Sequence, residues 1–133
     1  MSKKTIQVSG KRKTAVARAS LRDGTGKVKI NKIPLDLCMP KVYRMKMQEP
    51  LVLAEEIAAK VDIDVIVVGG GSNSQSEAAR TAIAKALAEH SAKLKAVFLE
   101  YDRNLLVADV RLKETHKPNR HGHARAKKQK SYR

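Results

Sequence analysis

Thr14-Ala15-Val16-Ala17-Arg18-Ala19-Ser20-Leu21-Arg22 sets Ala, Ala, Ala and Leu at every second position, with Val16, Arg18 and Ser20 between them. A period of two belongs to the β-strand, whose successive side chains point to opposite faces. The stretch therefore reads as a strand with one small-residue face and one partly cationic face. Residues 5–8 read as a strand before it. Asp23-Gly24-Thr25-Gly26 is a turn signal, and the alternation through Val28 and Ile30 predicts a β-hairpin across it. Pro34 and Pro40 bracket an irregular link.

Further along, a helix is expected to open near Glu49-Pro50, because Pro suits the first helical turn and Glu suits the positive end of the dipole. Leu51, Ala54 and Ala58, with Leu53 and Ile57, would form its apolar stripe. Val61, Ile63, Val65 and Val67 alternate with Asp62, Asp64 and Ile66 and run into Gly69-Gly70-Gly71, a strand ending in a tight turn. Ser74-Gln75-Ser76-Glu77 matches a capping box. Ala79, Ala82, Ile83, Ala86 and Leu87 then recur at helical spacing. A second helical stretch is expected around residues 94–99 and a short one near 103–107. The pattern predicts one α/β core, with a two-layer α+β sandwich over residues 1–112 and an extended basic tail over 113–133.

The 133 residues hold 28 Lys or Arg against 13 Asp or Glu, a formal charge of +15. Residues 1–22 carry seven cations and no acid, residues 23–100 eleven against ten, and residues 101–133 ten against three. The two ends are thus +7 each around a core of +1. From Thr115 onward there are seven Lys or Arg, three His and no acid, so the segment cannot bury enough apolar surface to offset its own ordering entropy. A large nucleic acid is the expected partner, since each phosphate neutralised by Lys or Arg releases counterions. No membrane partner is expected: no apolar anchor flanks the basic stretches, and the longest apolar run is four residues. The lone Cys38 fits a reducing cytosol.

Catalysis finds no support. No Ser/His/Asp or Cys/His arrangement stands out, and the acid pairs Glu55-Glu56 and Asp62/Asp64 read as solvated faces. Gly69 to Gln75 lacks the Lys and Ser/Thr of a P-loop and the spacing of a dinucleotide fingerprint, so a tight, closely packed turn is favoured over a nucleotide site. His116, His121 and His123 make a poor metal site amid cations without a carboxylate or thiol. Neither cofactor, metal nor small-molecule substrate is expected. His90 is expected at the polar end of its helix. The signal lies in the basic clusters. Ser9-Gly10 reads as a break that exposes Lys11, Arg12 and Lys13 on a loop at the sheet edge, with Arg18 continuing the stripe. Arg111, Lys113, Lys117 and Arg120 lead into Arg125, Lys127, Lys128, Lys130 and Arg133.

The ordered motifs resemble a known family. Residues 8–19 (Val-Ser-Gly-Lys-Arg-Lys-Thr-Ala-Val-Ala-Arg-Ala) are similar to the N-terminal signature of small ribosomal subunit protein nine. So are the triple glycine with Gln75, the helix of residues 79–87, the stretch 105–111, then Glu114, Lys117, Ala124-Arg125 and the ending Gln129-Lys130-Ser131-Tyr132-Arg133. The likeness spans nearly the whole chain, and its ending looks like the archaeal and eukaryotic branch. The family usually has Gly where this chain has Ser74, and Ala where it has Ser76. The resemblance implies the fold named after the second domain of small-subunit ribosomal protein five. It also implies a structural place in the small-subunit head, in the cytoplasm, on the 3′ major domain of its rRNA and beside other head proteins, with the tail reaching the peptidyl-site tRNA. Lys11, Arg12, Lys13, Arg18, Arg111, Lys113, Lys117, Arg120, Arg125 and Lys127 would then contact rRNA. Lys128, Lys130, Ser131, Tyr132 and Arg133 would lie near the tRNA. A free-standing basic nucleic-acid-binding protein is the alternative.

Overall fold

The computed structural model describes residues 4–38, 40–119 and 124. Five strands, β1 (Ile6–Arg12), β2 (Ala15–Asp23), β3 (Val28–Ile30), β4 (Ile33–Pro34) and β5 (Val61–Val68), form one sheet in the order β1-β2-β5-β3-β4. Helices α1 (Lys41–Leu53), α2 (Glu55–Ala58), α3 (Ser72–His90) and α4 (Ala92–Tyr101) complete the core, with 3-10 turns at Leu35–Leu37 and Arg103–Leu105. The mixed α/β architecture agrees with the sequence expectation and with the fold named after the second domain of ribosomal protein five, and the described residues 106–119 hold neither helix nor strand. Most of the expected tail over 113–133 lies outside the described residues.

Strand alternation decides the layers. Ala15, Ala17, Ala19 and Leu21 of β2 and Val61, Ile63, Val65 and Val67 of β5 are all buried, as the period-two reading requires. Against them α3 lays Ala78, Ala79, Ala82, Ile83, Ala86 and Leu87, every one solvent-inaccessible. Small residues on both surfaces let the helix ride close to the sheet. The closest approach is at Gly10, where an added Cβ would overlap the Ala78 carbonyl oxygen and lie 2.8 Å from the Ala82 nitrogen. Gly10 is therefore no break: it pairs with Ala17 inside the β1–β2 ladder, and its missing side chain is what admits α3.

The hairpin expected across residues 23–26 does not form. The β1–β2 hairpin turns instead at Lys13-Thr14, with Lys13 at φ 55°, and β3–β4 turns at Asn31-Lys32, at φ 50° and 70°. β5 inserts between β2, to which it is antiparallel, and β3, to which it is parallel. The 23–26 segment crosses the start of β5, where Gly24 and Gly26 donate to the Lys60 and Val61 carbonyls. Asp62 holds the crossing by accepting the Thr25 and Lys27 amides, each at 3.0 Å. These bonds, that from Lys27 first, keep its carboxyl below the ordinary carboxylate range. A turn signal tells where the chain reverses, not which strand it then pairs with. The alternating apolar β5 gains two neighbours by entering the middle of the sheet. Asn31 extends the β3–β5 ladder through its side chain, exchanging two hydrogen bonds with the Val67 backbone.

Two helix starts also differ from expectation. α1 begins at Lys41, after Pro40, and runs through Pro50. Its inward stripe starts at Tyr43 and Met47, two turns and one turn before the Pro, and Pro50 is itself buried within the last turn. At the head of α3 the capping box is not used. The helix starts at Ser72 with Gly71 as its cap and no side-chain acceptor, Ser76 Oγ donates to the Asn73 carbonyl, and Glu77 is engaged elsewhere. α4 and the 3-10 turn at 103–105 lie where short helices were expected, and His90 ends α3 exposed. Among the described residues no helix is long and apolar enough to cross a membrane.

Candidate nucleic-acid interface

The helices cover one side of the sheet and leave the other open. Alternation assigns Gln7, Ser9 and Lys11 of β1, Val16, Arg18, Ser20 and Arg22 of β2, and Ile66 and Val68 of β5 to the open side. The register sets Ser9, Arg18 and Ile66 in one row and Lys11, Val16 and Val68 in the next. Arg18 thus stands in the middle of the open face, beside Ile66 at 59% and Val68 at 53% exposure. Arg22 is tied to Asp64 at 3.2 Å, whereas Lys11, Lys13 and Arg18 have no ion-pair partner among the described residues.

Lys11 and Lys13 project from the end of the β1–β2 hairpin, and the triple glycine packs on that same turn. Gly69 (φ 79°) brings its α-carbon so near that an added Cβ would lie 2.5 Å from the Thr14 carbonyl oxygen. Gly70 (φ 65°) would set one 3.0 Å from the Ala15 Cβ. Both the left-handed backbone and the close approach require glycine. Gln75 Nε2 donates to the Gly69 carbonyl at 3.0 Å and braces the turn. Around Gly71 a Cβ would meet nothing within 4 Å. The glycines therefore form the tight turn that their sequence context favoured, and they seat the first turn of α3 beside the cationic hairpin.

Arg12 departs from the expectation that three neighbouring cations are displayed together. As the last residue of β1 it falls on the helix side of the sheet, and its side chain is 14% exposed. Its Nε donates to Glu77 Oε2 of α3 at 2.6 Å, and its Nη1 lies 3.2 Å from Asp109 Oδ2. Strand alternation, which turns Lys11 outward, necessarily turns Arg12 inward. Asp109 is the partner that residue patterns did not suggest. Its Oδ1 accepts the Arg111 amide at 2.8 Å and Arg111 Nε at 3.2 Å, and its Oδ2 accepts Arg111 Nη2 at 2.9 Å. The Arg111 side-chain bonds, then its amide, push the Asp109 carboxyl down to about 2. Arg111 stays 71% exposed.

A second network lies beside the first. Arg80 of α3 reaches Glu49 Oε2 of α1 with Nε at 2.8 Å and Nη2 at 2.6 Å, and Asp102 Oδ2 with Nη2 at 3.2 Å. Both networks line one cleft of about 180 Å³ that also contains Lys11, Thr81, Asn104, Val107 and Arg111. Just before it, Leu105 is fully buried and anchors the segment from which the tail departs. The N-terminal cations and the root of the C-terminal segment consequently meet at one pole of the core. Lys113 and Lys117 follow, exposed. Arg120, Arg125, Lys127, Lys128, Lys130, Ser131, Tyr132 and Arg133, with His121 and His123, lie outside the described residues. Among the described residues no cluster of His, Cys, Asp and Glu could hold a metal.

The chain matches the family model described as ribosomal protein S9/S16 over residues 10–133. It is 52% identical over 133 residues to the small ribosomal subunit protein uS9 of Methanococcus vannielii, covering 98% of this chain and 99% of that one. It is 50% identical over 133 residues to the protein of the same name from Methanococcus maripaludis, with the same coverage. The likeness to that of Methanothrix thermoacetophila is 50% over 132 residues.

Proposed function

The chain belongs to the ribosomal protein S9/S16 family, and from that premise we propose how it works as a structural, non-enzymatic constituent of the small ribosomal subunit. In the cytoplasm, the core docks on the 3′ major domain of the small-subunit rRNA, in the head and among neighbouring head proteins. The basic tail follows the rRNA, and its tip reaches the tRNA in the peptidyl site. One observation carries this reading: the unpaired cations of the hairpin and the root of the basic tail share a pole. In the middle of the chain the charges nearly balance, eleven cations against ten acids.

Lys11, Lys13 and Arg18 serve as phosphate contacts, with Arg18 able to grip bidentately and the two lysines acting as point charges. Arg111, Lys113, Lys117, Arg120, Arg125 and Lys127 extend the path along rRNA. Lys128, Lys130, Ser131, Tyr132 and Arg133 form the tRNA-facing tip, where Tyr132 can stack or donate a hydrogen bond. Arg12, the remaining member of the Lys-Arg-Lys cluster, acts from inside as an anchor. Its guanidinium already has two carboxylates, and exchanging them for phosphate would leave Glu77 and Asp109 without their partner.

The test is sedimentation with small subunits at moderate salt, paired with deletion of residues 128–133. Co-sedimentation and a steep loss of rRNA affinity with salt are expected, each phosphate contact adding roughly 0.7 to 0.9 to the log–log slope. The truncated chain should enter subunits nearly as well as the full chain and hold peptidyl-site tRNA less tightly. Binding to RNA without co-sedimentation would point to a free-standing nucleic-acid-binding protein. Loss of incorporation on truncation would make the tip an assembly element.

A further inference from the structure

We propose that Asp109 is a positioning residue for RNA engagement. It clamps the root of the basic tail, through Arg12, to the end of β1, so that the tail leaves the core beside Lys11 and Lys13 and the two basic ends present one continuous strip. This rests on the functional reading above and deepens it.

Asp109 contacts a cation of each basic end. On one side stands Arg12, whose buried Nη1 makes an ion-pair contact with Asp109 at 3.2 Å, without the alignment of a hydrogen bond, and whose Nε donates to Glu77 at 2.6 Å. On the other stands Arg111, held by three contacts of 2.8 to 3.2 Å through its amide, Nε and Nη2. Arg12 is in turn positioned by the hairpin and by α3, which is locked on the sheet at Gly10. The direction of the tail root is therefore referred to the close packing of β1 on α3. Lys46 Nζ stands 3.7 Å from Glu77 Oε1 and completes the neutralisation of this carboxylate. A carboxylate beside an RNA-binding strip repels phosphate, so in simple electrostatics its removal should tighten RNA binding. Positioning requires the opposite sign. A tail whose root swivels reaches its second contact at a lower effective concentration, and affinity falls although the net charge has risen.

Asp109→Asn in the full chain separates the two. Its affinity for a small-subunit head rRNA fragment should drop roughly five- to tenfold at physiological salt, while its affinity for unrelated RNA of equal length holds or rises. Asp109→Glu, which keeps the charge, should recover most of the loss. Clamping is read independently of RNA by dipolar electron paramagnetic resonance, in a Cys38→Ser background with spin labels at Glu56→Cys and Thr115→Cys. The distance distribution should broaden on Asp109→Asn and narrow again on Asp109→Glu. An unchanged distribution, or an Asn variant that binds the head fragment as well as or better than the parent, overturns the proposal. If the parent itself does not prefer head rRNA to unrelated RNA, the functional reading fails and positioning for rRNA falls with it. The distance distribution still decides whether the clamp exists.

Discussion

The two ends of the chain carry the same net charge, +7 each, and the fold treats them in opposite ways. The N-terminal end is woven into β1 and β2, so the pleat assigns each cation: Lys11 and Arg18 outward, Arg12 inward to Glu77, Lys13 at the turn. At the C-terminal end the root is tied down by Leu105 in the core and by Asp102 and Asp109 on arginines of the core. Beyond them Val110 is 88% exposed and Lys113 and Lys117 face solvent. Equal charge therefore says little about what a basic segment does. Alternation along a paired strand divides adjacent cations between structure and recognition, whereas an unpaired segment can offer all of its cations to the ligand.

That contrast can be broken at several points, beginning with the largest expected effect. Leu105→Ala empties a fully buried position at the tail root and should cost about 3 kcal/mol in urea unfolding; a loss below about 1 kcal/mol would mean that the root is not anchored in the core. Gly10→Ala drives a Cβ into the α3 backbone and should cost about 2 kcal/mol, because helix or strand must shift. A neutral result there would show that the woven end is looser than its packing. Arg18→Gln probes the outward face of the same strand. Stability should stay within about 0.5 kcal/mol, while the log–log salt slope for rRNA drops by roughly 0.7 to 0.9; an unchanged slope would remove Arg18 from the phosphate contacts.

The smallest effect is a matter of pH. Asp109 titrates at about 2, below its ordinary 3.8. A depressed carboxyl contributes above its unfolded value and is lost as pH falls through the folded one. The clamp should hold from neutral pH down to about 4 and release towards 2. The Arg111 amide chemical shift, followed by NMR, should report that midpoint, and a midpoint at 3.8 or above would mean the carboxyl is not held by the two arginines.

Much of this was legible in residue order. The inward faces of β2 and β5 and the apolar stripe of α3 follow from periods of two and 3.6, which are local geometry. Gly69 and Gly70 were legible as a tight turn, although not the Thr14 carbonyl they pack against. Two of the misread points share a cause. Asp23 to Gly26 reverses the chain, but β5, some forty residues later, takes the place next to β2 that a local hairpin would have filled. Ser74 and Glu77 match a cap, but Glu77 finds Arg12, 65 residues away. Lys41 to Gln48 carried too weak an apolar pattern to advance the start of α1 ahead of Pro50.

The sequence by itself determined the strands β2 and β5, the helix α3 and which of their residues face inward, and it set the excess of positive charge that calls for a polyanion, because periodicity and charge are properties of neighbours along the chain. Only the tertiary structure decided that β5 separates β2 from β3, that Arg12 is an internal anchor rather than a displayed cation, and that both basic ends leave from one pole. Those outcomes are set by pairings between residues far apart in sequence, where the winning partner is the one that fills the core and satisfies a buried charge, and no local pattern records which one that will be.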